Sequence, residues 1–289
     1  MKVVFITGTS TGFGKLTAIT LSKAGYTVIA GMRNTKGTNE KVAKELAALP
    51  HVEVVDMDVA DDVSVSTAIE QALKKHGKID VLVNNAGVIG FGLLEAFSID
   101  RIRQLFEVNF YSVLRTYQAV LPSMRQQKSG LVINVTSGAS GHTLPFMIPY
   151  LATKFSVESI TEGLQDELKQ FSIENVSIQP GVYPTEMSDG SKPGLHADKE
   201  EIIKAYDPIA SEQLNAQFGG GLLAKMQEFN MNPQTIADGI LKLIQMPDGT
   251  RPLRYPLDAI AGGTDLEFIN ARAEIKAKWL THYGVKNPK

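Results

Sequence analysis

The chain has 289 residues, 43% apolar and 21% charged, with a net charge of −2 and no cysteine. That suits one large globular domain, residues 1–289, and leaves no basic field for a nucleic-acid backbone. Disulfides, a thiolate nucleophile and Cys-ligated metals are excluded, and the five histidines form no i, i+4 pair, so no metal site is expected.

In chain order, Val3–Ile6 is a short β-branched run that feeds into Thr7-Gly8-Thr9-Ser10-Thr11-Gly12-Phe13-Gly14. The run is too short for a signal peptide, and nowhere does an apolar stretch approach the ~20 residues of a membrane helix. A cytoplasmic protein without a membrane span is expected. Helical spacing follows over Lys15–Ala24. Glycines in such a loop permit a sharp turn and a close backbone approach, and the helix N-terminus favours an anion. Gly8, Ser10, Thr11, Gly12, Phe13 and Gly14 are therefore candidates for holding the pyrophosphate of a dinucleotide.

The alternation continues with strands expected at Thr27–Ala30, Val52–Asp56, Val81–Val83 and Leu131–Val135. Helices are expected at Thr38–Ala48, Val63–Lys75 and Asp100–Gln127, then Tyr150–Gln170, followed by a strand at Val176–Gln179. This order predicts an α/β fold, a doubly wound parallel sheet of the Rossmann kind, with right-handed crossovers. After Pro180-Gly181 the rhythm breaks. Residues 188–232 read as a substrate-covering insertion within the single domain, on the side where open α/β sheets bind ligands. A helix at Pro233–Gln245, a strand near Leu253–Tyr255 and a helix around Leu266–Leu280 close the chain.

The second strand ends in Ala30-Gly31-Met32-Arg33-Asn34, with no acid before Glu40. An acid there would bond an adenosine 2′-hydroxyl, whereas a base accommodates a 2′-phosphate, so Arg33 points to NADP rather than NAD. Its plainer reading is a solvated residue at a strand end, and Thr11 supplies no second positive charge. Further on, Tyr150 and Lys154 stand at i, i+4 behind Pro149, which suits a helix start. A nearby ammonium stabilises phenolate, which a general acid/base near neutral pH requires.

Gly-x-x-x-Gly-x-Gly after the first strand, Asn84-Asn85-Ala86-Gly87 after the fourth, and Tyr150-x-x-x-Lys154 together resemble the short-chain dehydrogenase/reductase family, over residues 3 to about 187. The resemblance implies that Asp58 and Val59 contact adenine, and that Asn85, Ala86 and Gly87 shape the cofactor pocket. It implies that Pro180, Gly181, Val182 and Thr185 close over the nicotinamide. Tyr150 would then pass a proton to or from the substrate oxygen as hydride moves, with Ser137 holding that oxygen. Lys154 would lower the Tyr150 pKa and bond the nicotinamide ribose, and Asn109 would support a water relay. Asn109 also reads as a buried helix asparagine, and Ser137 as a turn residue beside Gly138.

A homodimer or homotetramer, paired through the helices that hold Asn109 and Tyr150, is likewise implied. Candidate pocket walls are His142, Leu144, Phe146, Met147, Tyr183, Phe218, Leu222 and Met226. They suggest a lipophilic alcohol or ketone and resemble the steroid- and retinol-handling branch. Leu222 and Met226 at helical spacing read equally as core. Two other functions stay in view. A nucleotide-sugar epimerase or dehydratase of the family's extended branch disagrees with the spacing of Gly8, Gly12 and Gly14. A non-catalytic dinucleotide sensor has no need of Tyr150 and Lys154.

Overall fold

The computed structural model describes residues 1–188, 194–206, 212 and 220–285. Its strands are β1 (Val3–Thr7), β2 (Thr27–Met32), β3 (Val52–Asp56), β4 (Val81–Asn84), β5 (Gly130–Val135), β6 (Ile173–Pro180) and β7 (Arg254–Leu257). The helices are α1 (Gly12–Lys23), α2 (Glu40–Ala47), α3 (Asp62–His76), α4 (Ile99–Phe106), α5 (Ser112–Gln127) and α6 (Ile148–Lys169). After β6 come α7 (Glu200–Tyr206), α8 (Gly220–Glu228), α9 (Gln234–Gln245) and α10 (Thr264–His282).

All strand pairings are parallel, in the order β3-β2-β1-β4-β5-β6-β7. The direction of winding reverses between β1 and β4, and a crevice for a ligand opens at such a switch point. Side chains alternate along each strand, so β1 sends Val4 and Ile6 to one face and Val3 and Phe5 to the other. The first face packs on Leu21, Leu46, Ile236 and Ile240; the second packs on Ile69, Val120, Met124 and Val157. Both faces are covered, which is why these strands read as continuous apolar runs rather than alternating ones. Local signals set the helix ends. Asp61 caps α3 by accepting from Ser64 N at 2.6 Å, and Gly77, at φ 75°, ends it in the left-handed region.

Two elements depart from expectation. The single helix expected over Asp100–Gln127 is α4, a π-helical turn at Glu107–Tyr111, and α5. The wide turn presents Asn109 inward, where bonds to Val88 hold it. β6 begins three residues earlier than expected, at Ile173. Glu174 and Asn175 interrupt the apolar run, but Arg251 pairs with the first, while Tyr117 and Thr161 bond the second.

The region after β6 was expected to cover a substrate. Residues 195–199 lie against the segment that follows β4: Leu195 N donates to Ile89 O at 2.8 Å and Ala197 N to Phe91 O at 3.0 Å. Gly90 and Gly92 allow this approach, since a side chain at either would overlap Leu195 or Ala197. In α8, Met226 is buried and Leu222 packs against the same core as Ile236 and Tyr183. Phe218 lies outside the described residues. No helix among the described residues is long and apolar enough to cross a membrane.

Candidate active site

The glycine loop and the turn after β4 are strapped together. Thr7 Oγ1 accepts from Asn85 N and Ala86 N, both at 3.0 Å, and Asn85 Nδ2 donates to Thr7 O and Gly8 O at 2.9 and 3.0 Å. Gly8 and Gly12 have φ of +71° and +51°, a region that strains other residues. A Cβ on Gly8 would also sit 2.7 Å from Ala86 Cα, and one on Gly14 would overlap Gly8 O. Thr9 ties the loop to β2 by bonding Gly31 O through both its N–H and its hydroxyl. No local signal in the sequence marks Thr7 and Thr9, small polar residues whose partners lie 22 to 79 positions away.

Phe13 packs on the core, edge-on to Tyr183 at 5.5 Å between ring centroids. The turn after β6 closes over the same loop: a Cβ at Gly12 would meet the Thr185 side chain at 3.8 Å. Ser188 Oγ fixes that turn through Thr185 N at 2.8 Å and Tyr183 O at 2.7 Å. Arg33 stands exposed just past β2, and its guanidinium makes no hydrogen bond or ion pair among the described residues. Asp58 and Val59 follow β3; Asp58 accepts from Ala60 N at 2.9 Å, and Val59 O accepts from Arg115.

Asn109, Gly87 and Lys154 converge. Asn109 Oδ1 accepts from Val88 N at 2.8 Å, and its Nδ2 donates to Val88 O and to Thr153 Oγ1 at 2.9 and 3.1 Å. A Cβ on Gly87 would lie 3.3 Å from Asn109 Oδ1 and 3.7 Å from Lys154 Nζ. Gly87 thus leaves room in front of both. Lys154 donates to Val135 O at 3.0 Å, its one acceptor among the described residues. An ammonium has three donors, and burial lowers this one to about 8.

Tyr150 lies one helical turn before Lys154, with the ammonium 5.8 Å from its ring centroid. The tyrosine ring is buried, and its hydroxyl, which makes no hydrogen bond among the described residues, opens to solvent. The sequence led us to expect a lowered phenol pKa. Burial instead raises it, because desolvation acts on the phenol and the ammonium alike. Ser137 follows β5, and its hydroxyl accepts from Ala139 N at 3.2 Å, so it serves the turn and makes no bond to Tyr150. Of the expected pocket walls, Phe146 and Tyr183 are buried and His142 is exposed, edge-on to Phe268.

Behind α6 lies a buried polar cluster with no counterpart in the sequence reading. Glu158 accepts from Thr136, Gln179 and Arg254 at 3.0, 2.7 and 3.0 Å, and also from Ser177. Arg254 further pairs with Glu162, which Arg272 and Lys276 of α10 also reach. These bonds fix α6, and with it Tyr150 and Lys154, to the ends of β5, β6 and β7.

The residues present fit a dinucleotide cofactor. The loop glycines permit close approach to a pyrophosphate, α1 points its N-terminus there, and Lys154 retains donors for a ribose diol.

A family model described as short chain dehydrogenase matches residues 2–195. A 3-ketodihydrosphingosine reductase of Bacteroides thetaiotaomicron is 35% identical over 188 residues, 65% of this chain and 66% of that protein. Retinol dehydrogenase 8 of Bos taurus is 32% identical over 256 residues, 84% of this chain and 78% of its own length. Among solved structures, the alcohol dehydrogenase of the archaeon Thermococcus sibiricus, complexed with 5-hydroxy-NADP, is similar at a TM-score of 0.70. It shares 28% identity, over 89% of this chain and 96% of that one.

Proposed function

The chain belongs to the short chain dehydrogenase family of oxidoreductases, and from that premise we propose that it interconverts a lipophilic ketone and its alcohol using NADP(H), with Tyr150 as proton carrier. One observation carries the reading: on one face of α6 a tyrosine with a buried ring opens its unbonded hydroxyl to solvent, one turn before a buried lysine ammonium that uses only one of its donors among the described residues. A proton donor that opens to solvent beside an ammonium with unused donors can meet a ligand without first breaking a bond within the protein.

A bound nicotinamide dinucleotide supplies or accepts the hydride. In the reducing direction, Tyr150 donates its hydroxyl proton to the substrate oxygen. Lys154 then stabilises the phenolate that forms, which offsets the rise that burial imposes on Tyr150. Ser137 can release Ala139 N and turn its hydroxyl to the same oxygen. Asn109, fixed by Val88 and Thr153, holds the backbone in front of Lys154. Arg33, exposed and with no side-chain partner among the described residues, takes the 2′-phosphate and so selects NADP over NAD. The neighbour complexed with 5-hydroxy-NADP, and relatives named for a ketosphingoid and for retinol, support this cofactor and a lipophilic substrate class. Residues 195–199 and the buried Phe146 then bound the substrate side. Pairing of copies through the helical stretch that holds Asn109, from α4 to α5, and through α6 belongs to the same reading.

The test is NADPH oxidation, followed by absorbance, across a panel of ketones graded by chain length. Turnover that rises with apolar length is expected. Turnover confined to small polar hydroxy acids would overturn the substrate class.

A further inference from the structure

Past the strand ends, three segments continue side by side: Gly138 N donates to Pro180 O at 2.7 Å, and Gly181 N donates to Leu257 O at 3.0 Å. The first segment follows Ser137, the second begins at Pro180, and the third presents Asp258. All three lie along the edge of the sheet where open α/β folds take their ligands. The Asp258 carboxyl fills the space that a side chain at 181 would need, and its Oδ2 lies 3.5 Å from where a Cβ on Gly138 would stand. Glycine at 138 and 181 thus makes room for a carboxylate beside Gly138, the residue that follows Ser137.

That carboxylate is half satisfied. Oδ1 accepts from Ile260 N and Ala261 N at 3.0 and 3.3 Å, whereas Oδ2 opens to solvent, with no protein donor and no cation paired with Asp258 among the described residues. Burial raises its pKa, and Asp265 adds negative charge nearby instead of relieving it. A half-buried carboxylate with one oxygen open and no cation beside it among the described residues is placed to take a charge-assisted hydrogen bond from a positive group.

Resting on the lipophilic-carbonyl reading above, we propose that Asp258 is a substrate-binding residue that pairs with an ammonium group carried close to the reacting carbonyl, so that the substrate class is a lipophilic amino ketone or amino alcohol. A hydroxyl in the same place would fill the acceptor but leave the charge uncompensated.

The experiment compares decan-2-one with 1-aminodecan-2-one, added as its hydrochloride, in the NADPH assay. The wild-type protein is expected to favour the amino ketone in kcat/KM by about tenfold or more, the low end for a charged hydrogen bond. In Asp258→Asn, which keeps an oxygen for Ile260 and Ala261, that ratio should fall to within about twofold of unity. A wild-type ratio of one or less, or a ratio unmoved by the substitution, overturns the proposal. Turnover of neither ketone would count against the lipophilic-carbonyl reading. Calorimetric binding of decylamine and decanol to the NADP-loaded protein then decides the ammonium site separately. Preference for the amine in wild type alone supports it, and equal binding in both proteins overturns it.

Discussion

Two tyrosines are buried on the same side of the sheet, and they differ in a way that separates scaffold from site. Tyr117, on α5, donates to Asn175 Oδ1 and accepts from Asn134 Nδ2 at 2.7 Å, inside a network that also holds Asn84, Thr116 and Thr161. Tyr150, on α6, has no such partner. Burial raises both phenols. Similar desolvation with opposite satisfaction means that one hydroxyl is committed to holding β4, β5 and β6 to their helices, while the other is open to a ligand. Lys154 and Asp258 share the open condition, and both lie at the ends of β5 to β7.

The sharpest way to break this contrast is Tyr150→Phe. Loss of the acidic hydroxyl should lower turnover by about 10²–10⁴-fold, with thermal unfolding and NADPH affinity nearly unchanged. Wild-type turnover in that variant would make Tyr150 a second Tyr117.

Lys154→Met probes the other open group, and pH gives its sign. Burial lowers this lysine to about 8, from its ordinary 10.5. A base depressed by folding destabilises the fold in full below pH 8, and the penalty is relieved as pH rises from 8 toward 10.5. The variant should therefore unfold at higher denaturant than wild type at pH 7, by up to roughly 3 kcal/mol. That gap should narrow by pH 9.5, and the variant should bind NADPH more weakly at pH 7. A gap independent of pH would show that Lys154 is not a strained ammonium.

Arg33→Ala sharpens the comparison at the far end of the cofactor. A charged hydrogen bond contributes about 1.5–3 kcal/mol, so wild type should prefer NADPH to NADH by roughly 10- to 100-fold, and the variant should lose most of that. Comparable kcat/KM for both cofactors in wild type would return Arg33 to a solvated strand-end residue.

Tyr117→Phe should have the smallest effect. Asn134 Nδ2 keeps Thr161 Oγ1, and Asn175 keeps its own bond to Thr161 O, so the network can partly close over the gap. A loss of about 1–2 kcal/mol in unfolding free energy is expected, with turnover kept. A large fall in turnover would blur the line between the two tyrosines.

The elements that carry the candidate cofactor residues were legible in the sequence because their signals are local. The glycine loop lies between one strand and the next helix, Asn85 to Gly87 follow β4 directly, and Tyr150 and Lys154 are one turn apart. What was not legible depends on register between distant segments. Glu158 meets Arg254 across 96 positions, and from sequence both look like solvated charges. Asn175 looks like a strand breaker until Tyr117 arrives from α5. Asp258 reads as a turn residue, and only the bare Cα atoms of Gly138 and Gly181 reveal where its carboxyl lies. Leu222 and Met226 were ambiguous by periodicity, and packing assigns them to the core.

The measurement closest to the central claim is the pH dependence of ketone reduction, with NADPH saturating at every pH, in wild type and in the residual activity of Tyr150→Phe. If Tyr150 delivers the proton, wild-type kcat must fall as pH rises through the pKa of that hydroxyl in the complex, since only its protonated form is the donor. The account predicts that this alkaline limb disappears in Tyr150→Phe. The same limb at the same pH in both proteins would contradict it, and would place the proton on another group.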